Sequence, residues 1–235
     1  PGGSMYELYI GNRNYSSWSL RPWVLLRAHG IPFVEHVKPF AHGSNFDAFR
    51  AFSPSGKVPC LRDGATVAWD SLGISEFLAE RHPGLWPADA AARAWARCAA
   101  AEMHSGFATL RNVCTMNVGL RVKLHTLPPA LVADIRRIDE LWNESLSRFG
   151  GPFLAGPGFT VVDAFYCPVA YRVRTYGIEL TGRAAQYVQR LLELPAMLEW
   201  EQAALAETWR EIDHEAEALQ VGVVTADYRA PAAAQ

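Results

Sequence analysis

Over the first eighty or so residues, short apolar runs alternate with runs spaced for a helix. Tyr6 to Ile10 carries aromatic and β-branched weight and predicts a strand. From Leu20 to His29, Trp23, Leu26 and their apolar neighbours recur at helical spacing, and Gly30 provides a stop. Phe33 to Val37 predicts a second strand, and Asn45 to Phe52 a short helical stretch. Val58 to Leu61 and Thr66 to Trp69 flank Asp63-Gly64, a pair suited to a hairpin turn. Leu72 to Arg81 sets Ile74, Phe77 and Leu78 on one helical face before Pro83-Gly84. The order is βαβ, then α, then ββα. Its first unit implies a parallel pair joined by a right-handed crossover, and its last an antiparallel pair. A small mixed sheet with helices on both faces satisfies both.

After Pro87 the pattern is helical almost throughout. Ala88 to Arg111 carries Trp95, Ala99, Met103, Phe107 and Leu110 on or near one stripe. Pro129 to Phe149 repeats the pattern and stops at Gly150-Gly151. Val161 to Tyr176 is strongly apolar, as a central buried helix is. Ala184 to Leu192 and Ala196 to Leu205 follow, separated by Pro195. These patterns divide the chain into an α/β domain over 5–83, a linker rich in Pro and Gly over 84–89, an all-helical domain over 90–222, and a tail over 223–235. The tail is expected to be disordered, since the segment from Ala230 offers nothing to pack. The opening Pro1 to Ser4 lacks the charged and apolar regions of a signal peptide. It reads as an appended leader before a start at Met5.

Composition narrows the classes. The net charge of the 235 residues is −2, so no strong pull toward nucleic acid or an anionic membrane is expected. A cationic cleft is still compatible with that balance. No apolar run is long enough to span a bilayer. Cys60, Cys98, Cys114 and Cys167 are far apart, with neither a CxxC pair nor zinc-ligand spacing. They are expected to be reduced, mostly buried thiols of a cytoplasmic protein. HExxH, GxSxG, P-loop and GxGxxG motifs are all missing, and the acids form no metal-ligand spacing, so no metal is expected.

Three short segments carry candidate chemistry. Between the first strand and the first helix runs Gly11-Asn-Arg-Asn-Tyr-Ser16-Ser17-Trp18-Ser19-Leu20-Arg21-Pro22-Trp23. A hydroxyl there can face a cleft while the helix amides favour an anion such as a thiolate. The same serines can also serve simply as helix caps. The second segment is Ser53-Pro54-Ser55-Gly56-Lys57-Val58-Pro59-Cys60-Leu61. A cis Val58-Pro59 bond would turn the Val58 backbone toward a peptide-like ligand, whereas most X-Pro bonds are trans. The third is Trp69-Asp70-Ser71-Leu72-Gly73-Ile74, where an acid and a hydroxyl open a helix. They can hold an ammonium and a carboxylate, or only cap.

The order and spacing of these segments say more than any one of them. A serine-rich loop after strand one, Val-Pro opening strand three, Asp-Ser opening helix three and a following helical domain together resemble the glutathione S-transferases, in their serine-type, zeta- or theta-like bacterial branch. Gly158-Phe159-Thr160-Val161-Val162-Asp163 adds that family's capping box, with Phe159 as staple. The resemblance implies a thioredoxin-like N-terminal domain, an all-α C-terminal domain and a homodimer. It implies glutathione as co-substrate, bound by Ser16, His42, Lys57, Val58, Pro59, Asp70 and Ser71, with Pro59 cis. Ser16 would activate the thiol, with Ser17 as its neighbour or understudy. Tyr15, Tyr6 and Tyr9 are tyrosine rivals ranked below it. Asp70 is one methylene shorter than the family's usual Glu. A hydrophobic electrophile would lie against Met103, His104, Phe107 and Arg111, with Met116 and Asn117 close by. The alternative for the helical part of that set is plain bundle core.

The expected reaction is attack of the glutathione thiolate on an electrophilic small molecule, as in detoxification. Isomerisation of the maleylacetoacetate type, or peroxide reduction, would use the same thiolate. A glutaredoxin-like enzyme would want a cysteine at Ser16 or Ser17, and only Cys60 lies near. A binding or assembly module without turnover is the non-enzymatic rival.

Overall fold

A computed structural model describes residues 5–234; Pro1 to Ser4 and Gln235 lie outside the described residues. The chain begins with β1 (Tyr6–Ile10), α1 (Ser17–Ala28), β2 (Phe33–Val37), α2 (Phe46–Phe49), β3 (Cys60–Asp63), β4 (Thr66–Trp69) and α3 (Ser71–Ala79). The four strands form one sheet in the order β2-β1-β3-β4. β1 runs parallel to β2, with Leu8 opposite Glu35, and antiparallel to β3, with Leu8 opposite Leu61. β3 and β4 form the expected hairpin. This is the thioredoxin-like arrangement.

The helical part comprises α4 (Ala90–Ser105), α5 (Ala108–Val113), α6 (Pro129–Phe149), α7 (Val161–Tyr176), α8 (Gly182–Leu192), α9 (Pro195–Ala206) and α10 (Ile212–Val221). It also contains two strands, β5 (Leu120–Leu124) and β6 (Gly222–Asp227), paired antiparallel. α7 is the central helix of the group, with all but two of its residues buried. No helix of the described residues is long and apolar enough to cross a membrane.

Three features depart from the sequence expectations, the first being strand β5 within the stretch 90–222 expected to be all helical. The helix anticipated from Ala88 to Arg111 is broken at Gly106 and Phe107. Gly106 is extended and Phe107 adopts a left-handed φ of 56°. A Cβ at Gly106 would stand 2.7 Å from the Glu102 carbonyl oxygen, so glycine is needed for the break. The tail expected to be disordered is instead ordered over Gly222–Asp227. It pairs with β5 and continues with Ala230 N–H donating to the Leu205 carbonyl at 2.7 Å. Arg229 anchors it through two-pronged contacts to Glu215 at 2.7 and 2.8 Å and a contact to Asp227 at 2.9 Å. Period-two alternation was too short there to signal a strand, because β6 exists only where β5 offers an edge.

The linker is also docked. Leu85 and Trp86 are buried, and Val161 N–H donates to the Leu85 carbonyl at 2.9 Å. At the start of α7, Asp163 is wholly buried and accepts from Thr160 N at 2.9 Å, Leu154 N at 3.0 Å and Tyr187 Oη at 2.6 Å. Its carboxyl thus closes the helix start and ties it to the preceding loop and to α8. Burial raises its pKa from 3.8 to about 6 against the pull of these donors. The native state therefore keeps this proton to higher pH than the unfolded chain. The group's contribution to stability falls as pH climbs from about 4 to about 6. D163N lacks that slope. In urea, the stability gap between the natural protein and D163N is expected to narrow between pH about 4.5 and about 7, by about 2 kcal/mol. An unchanged gap would show that the native carboxyl stays ionised over that range.

Candidate active site

The site is built at the start of α1. After β1 the backbone turns on the Asn12 carbonyl, which accepts from Tyr15 N at 3.2 Å and Ser16 N at 2.8 Å. Ser16 is the N-cap of α1, and its side chain accepts from Ser19 N at 3.4 Å. The Ser16 and Ser19 hydroxyls lie 2.7 Å apart, and Gly11 N–H donates to Ser19 Oγ at 3.1 Å. A Cβ at Gly11 would meet Phe40 at 2.7 Å, so this close approach depends on glycine.

Two cavities open in front of this turn. One of about 370 Å³ is lined by Tyr15, Ser16, Ser17, Phe40 and Phe46 among others. Its neighbour of about 380 Å³ is lined by Ser55, Pro59, Trp69, Asp70 and Ser71. Trp18, Lys57 and Val58 line both, so the two are halves of one cleft. The Val58–Pro59 peptide is cis. Asp70 has a φ of 69°, a left-handed backbone that a non-glycine residue adopts at a cost of about 1–3 kcal/mol. Its side chain caps α3 by accepting from Leu72 N at 2.9 Å.

Beneath the cleft lies a buried cation. Arg21 donates to Ser71 Oγ at 3.3 Å and lies 3.1 Å from His104 Nδ1. Its guanidinium sits over Trp18 at 4.1 Å and Phe165 at 4.6 Å. Aromatic faces thus replace the carboxylate such a charge would ordinarily seek. Burial, with Arg172 and Arg111 nearby, depresses its pKa. His104 Nε2 stands 3.2 Å from Asp70 Oδ1. Burial lowers the His104 pKa, Asp70 opposes this, and Arg21 and Arg111 add to the lowering. The imidazole is therefore neutral at neutral pH. Arg111 lies 5.5 Å from the Trp18 ring.

The structure brings Ser16, Ser17, Lys57, Val58, Pro59, Asp70 and Ser71 to this one cleft. His42 lines neither half; its ring faces Asp213 at 3.1 Å and Glu211 at 3.5 Å. Met103 on α4 and Phe107 in the break after it, both expected in an electrophile pocket, are buried in the core, as are Met116 and Asn117 in the loop between α5 and β5. His104 and Arg111 do approach the cleft through Asp70 and Trp18.

The tyrosine rivals are engaged elsewhere. Tyr6 Oη pairs with His82 at 2.8 Å, and Tyr9 is stacked between His36 and Phe52. Tyr15 Oη donates to Glu215 at 2.7 Å and accepts from Glu211 N at 3.2 Å. Burial, then Glu215, push its pKa well above the ordinary phenol value. Cys60 is buried, its thiol donating to the Phe52 carbonyl at 3.4 Å, and burial pushes its pKa up. It is not a poised thiolate. Trp18 and Arg21 were missed as site residues. Their signal was an aromatic and a cation one helical turn apart within the serine loop, which reads equally well as core and surface.

Residues 15–81 match the family model of the glutathione S-transferase N-terminal domain. The chain is 27% identical over 186 residues to a zeta-class glutathione S-transferase of Euphorbia esula, covering 77% of this chain and 82% of that one. It is 24% identical over 211 residues to a stringent starvation protein A homolog of Coxiella burnetii, covering 89% and 95%. The glutathione-bound theta-class glutathione S-transferase of Xanthomonas axonopodis pv. citri superposes with a TM-score of 0.60 at 24% identity, over 86% of this chain and 98% of that one. Residues 15–81 thus match a glutathione S-transferase N-terminal domain, and the chain as a whole shares the glutathione S-transferase fold.

Tyr15 serves as a strut between this cleft and α10. Tyr15→Phe leaves the Glu211 amide without its acceptor and Glu215 short of one donor. It is expected to cost about 1–2 kcal/mol in chemical denaturation. A loss under about 0.3 kcal/mol would mean that water replaces the hydroxyl at no penalty.

Proposed function

We propose that the cleft binds glutathione and that Ser16 holds its sulfur as a thiolate for attack on an electrophilic small molecule. The observation that carries this reading is the convergence of the Ser16 turn, the Val58–Pro59 edge and the Asp70-Ser71 helix start on one cleft. In this reading Val58 pairs with the peptide backbone of the ligand. Asp70 and Ser71 grip its γ-glutamyl ammonium and carboxylate, and Lys57 takes the glycyl carboxylate.

The thiol of glutathione ionises near pH 8.5, like free cysteine. Lowering that by about two units takes about 2.7 kcal/mol. One hydrogen bond to a charged acceptor contributes about 1.5–3 kcal/mol, and the amides opening α1 add to it. The serine pair permits the direction of that bond. Either hydroxyl of the Ser16–Ser19 pair can donate, and in this reading Ser19 donates to Ser16 Oγ. The Ser16 proton is then free for the sulfur. Arg21 beneath the cleft strengthens the favourable field.

The electrophile would approach between Trp18, His104 and Arg111. The cationic Arg111 favours one that carries a carboxylate, which also suits the isomerase reading, in which the thiolate adds and leaves again. The same reading carries a homodimer, one subunit's N-terminal domain meeting the other's helices, and a cytoplasmic setting, which four free thiols favour. The non-enzymatic alternative draws on the Coxiella relative, which is not named for a transferase.

Calorimetry with reduced glutathione is expected to show saturable binding. In a panel of aryl halide, hydroperoxide and maleylacetone, S16A is expected to lower kcat at least about ten-fold, or about 1.4 kcal/mol, with glutathione affinity largely kept. S19A is expected to lose less, and S17A least. Binding without turnover on any substrate would favour the assembly module. Loss on S17A with S16A unaffected would move the activating hydroxyl by one residue.

A further inference from the structure

Outside the cleft, three potential ligand atoms converge at the seam between the α/β part and α10. They belong to His42, in the loop between β2 and α2, and to Glu211 and Asp213, at the start of α10; all lie within 4.8 Å of one another. His42 Nδ1 is 3.1 Å from Asp213 Oδ2 and 3.5 Å from Glu211 Oε1. We propose that His42, Glu211 and Asp213 form a binding site for a divalent transition cation, with zinc as its reference occupant.

The two separations from His42 Nδ1 suit such an ion. Bonds of about 2.0–2.2 Å to nitrogen and oxygen in a tetrahedral or octahedral shell hold ligand atoms about 3–3.5 Å apart. One imidazole and two carboxylates form a borderline donor set that suits zinc, cobalt or nickel, whereas magnesium and calcium prefer oxygen alone. Three protein ligands leave further positions for water. The His42 and Asp213 side chains are 72% and 62% exposed, so an ion reaches the site from solvent.

The ligands are also held in place. Glu211 is buried, and its carboxylate accepts from Asp213 N at 3.0 Å and His214 N at 2.9 Å. His214 Nδ1 lies 2.6 Å from its other oxygen, giving the outer support that orients a ligating carboxylate. The His214 ring stacks on Tyr15 at 4.8 Å and on Phe40 at 4.9 Å. Phe40 N–H donates in turn to Asn12 Oδ1 at 2.7 Å. The site therefore rests on the same stack that braces the serine turn. An ion there would staple the His42 loop to α10. Only the folded chain unites these ligands, so binding would stabilise it.

The test uses the full chain after chelator treatment. Calorimetry with zinc chloride is expected to show a one-to-one event, accompanied by a rise in Tm that magnesium does not reproduce. H42A and D213N, both at exposed positions, are expected to keep the circular dichroism of the natural protein and to weaken zinc at least about ten-fold. C98S and H36A, which remove the exposed thiol and the separate His36–Glu7 pair, are expected to leave affinity unchanged. Saturable binding that survives both H42A and D213N, or no saturable binding to the natural protein, overturns the proposal. D213N retaining zinc affinity while H42A loses it would likewise refute the three-ligand site.

Discussion

Helix α1 is enclosed on nearly every side. The run from Ser19 to Leu26 is buried without a break, between the sheet of its own domain and helices α7 and α9 of the other. Trp23 meets Trp200 edge to face across that seam. The helix cannot tilt or slide without opening the core of both parts, so the position of its first turn is set by packing along its whole length. That first turn carries Ser16. The Ser16 hydroxyl is thus placed by hydrophobic contacts well removed from it.

The same enclosure brings Arg21 into the molecule. A buried guanidinium is costly unless its charge is compensated. Here the compensation comes from the faces of Trp18 and Phe165, the Ser71 hydroxyl and the His104 ring. No carboxylate pairs directly with it among the described residues, and Asp70 is reached only through His104. Positive charge remains available at the floor of the cleft, although the chain as a whole carries −2. A small net charge is therefore no guide to the local field.

The C-terminal segment is a second layer of the same design. β6 lies on β5, Arg229 clamps Glu215, and Glu215 accepts from Tyr15. The end of the chain is connected by successive hydrogen bonds to the residue beside Ser16. His214 of α10, Tyr15 and Phe40 of the loop after β2 form one stacked unit against the cleft.

Much of this was legible in the chain. Short β runs, helix stops at glycine and proline, and the Thr160–Asp163 box need only local backbone chemistry, and each element they announce is present. Ser16, Lys57, Val58, Pro59, Asp70 and Ser71 lie in loops or at element ends that local sequence rules single out, and the fold brings them to one cleft. His42, Met103 and Phe107 were misread because spacing along a helix or loop does not say which neighbour the side chain will meet. Trp18 and Arg21 stayed hidden because their partners, Phe165 and His104, come from distant helices. Strand β6 has no local signal, since its hydrogen bonds are all with a segment about a hundred residues earlier. Local sequence thus determined the elements and the hydroxyl and carboxyl groups at their ends. Tertiary packing decided which of them share a cleft, where the buried charge lies and what covers the tail, because those depend on contacts between residues remote in the chain.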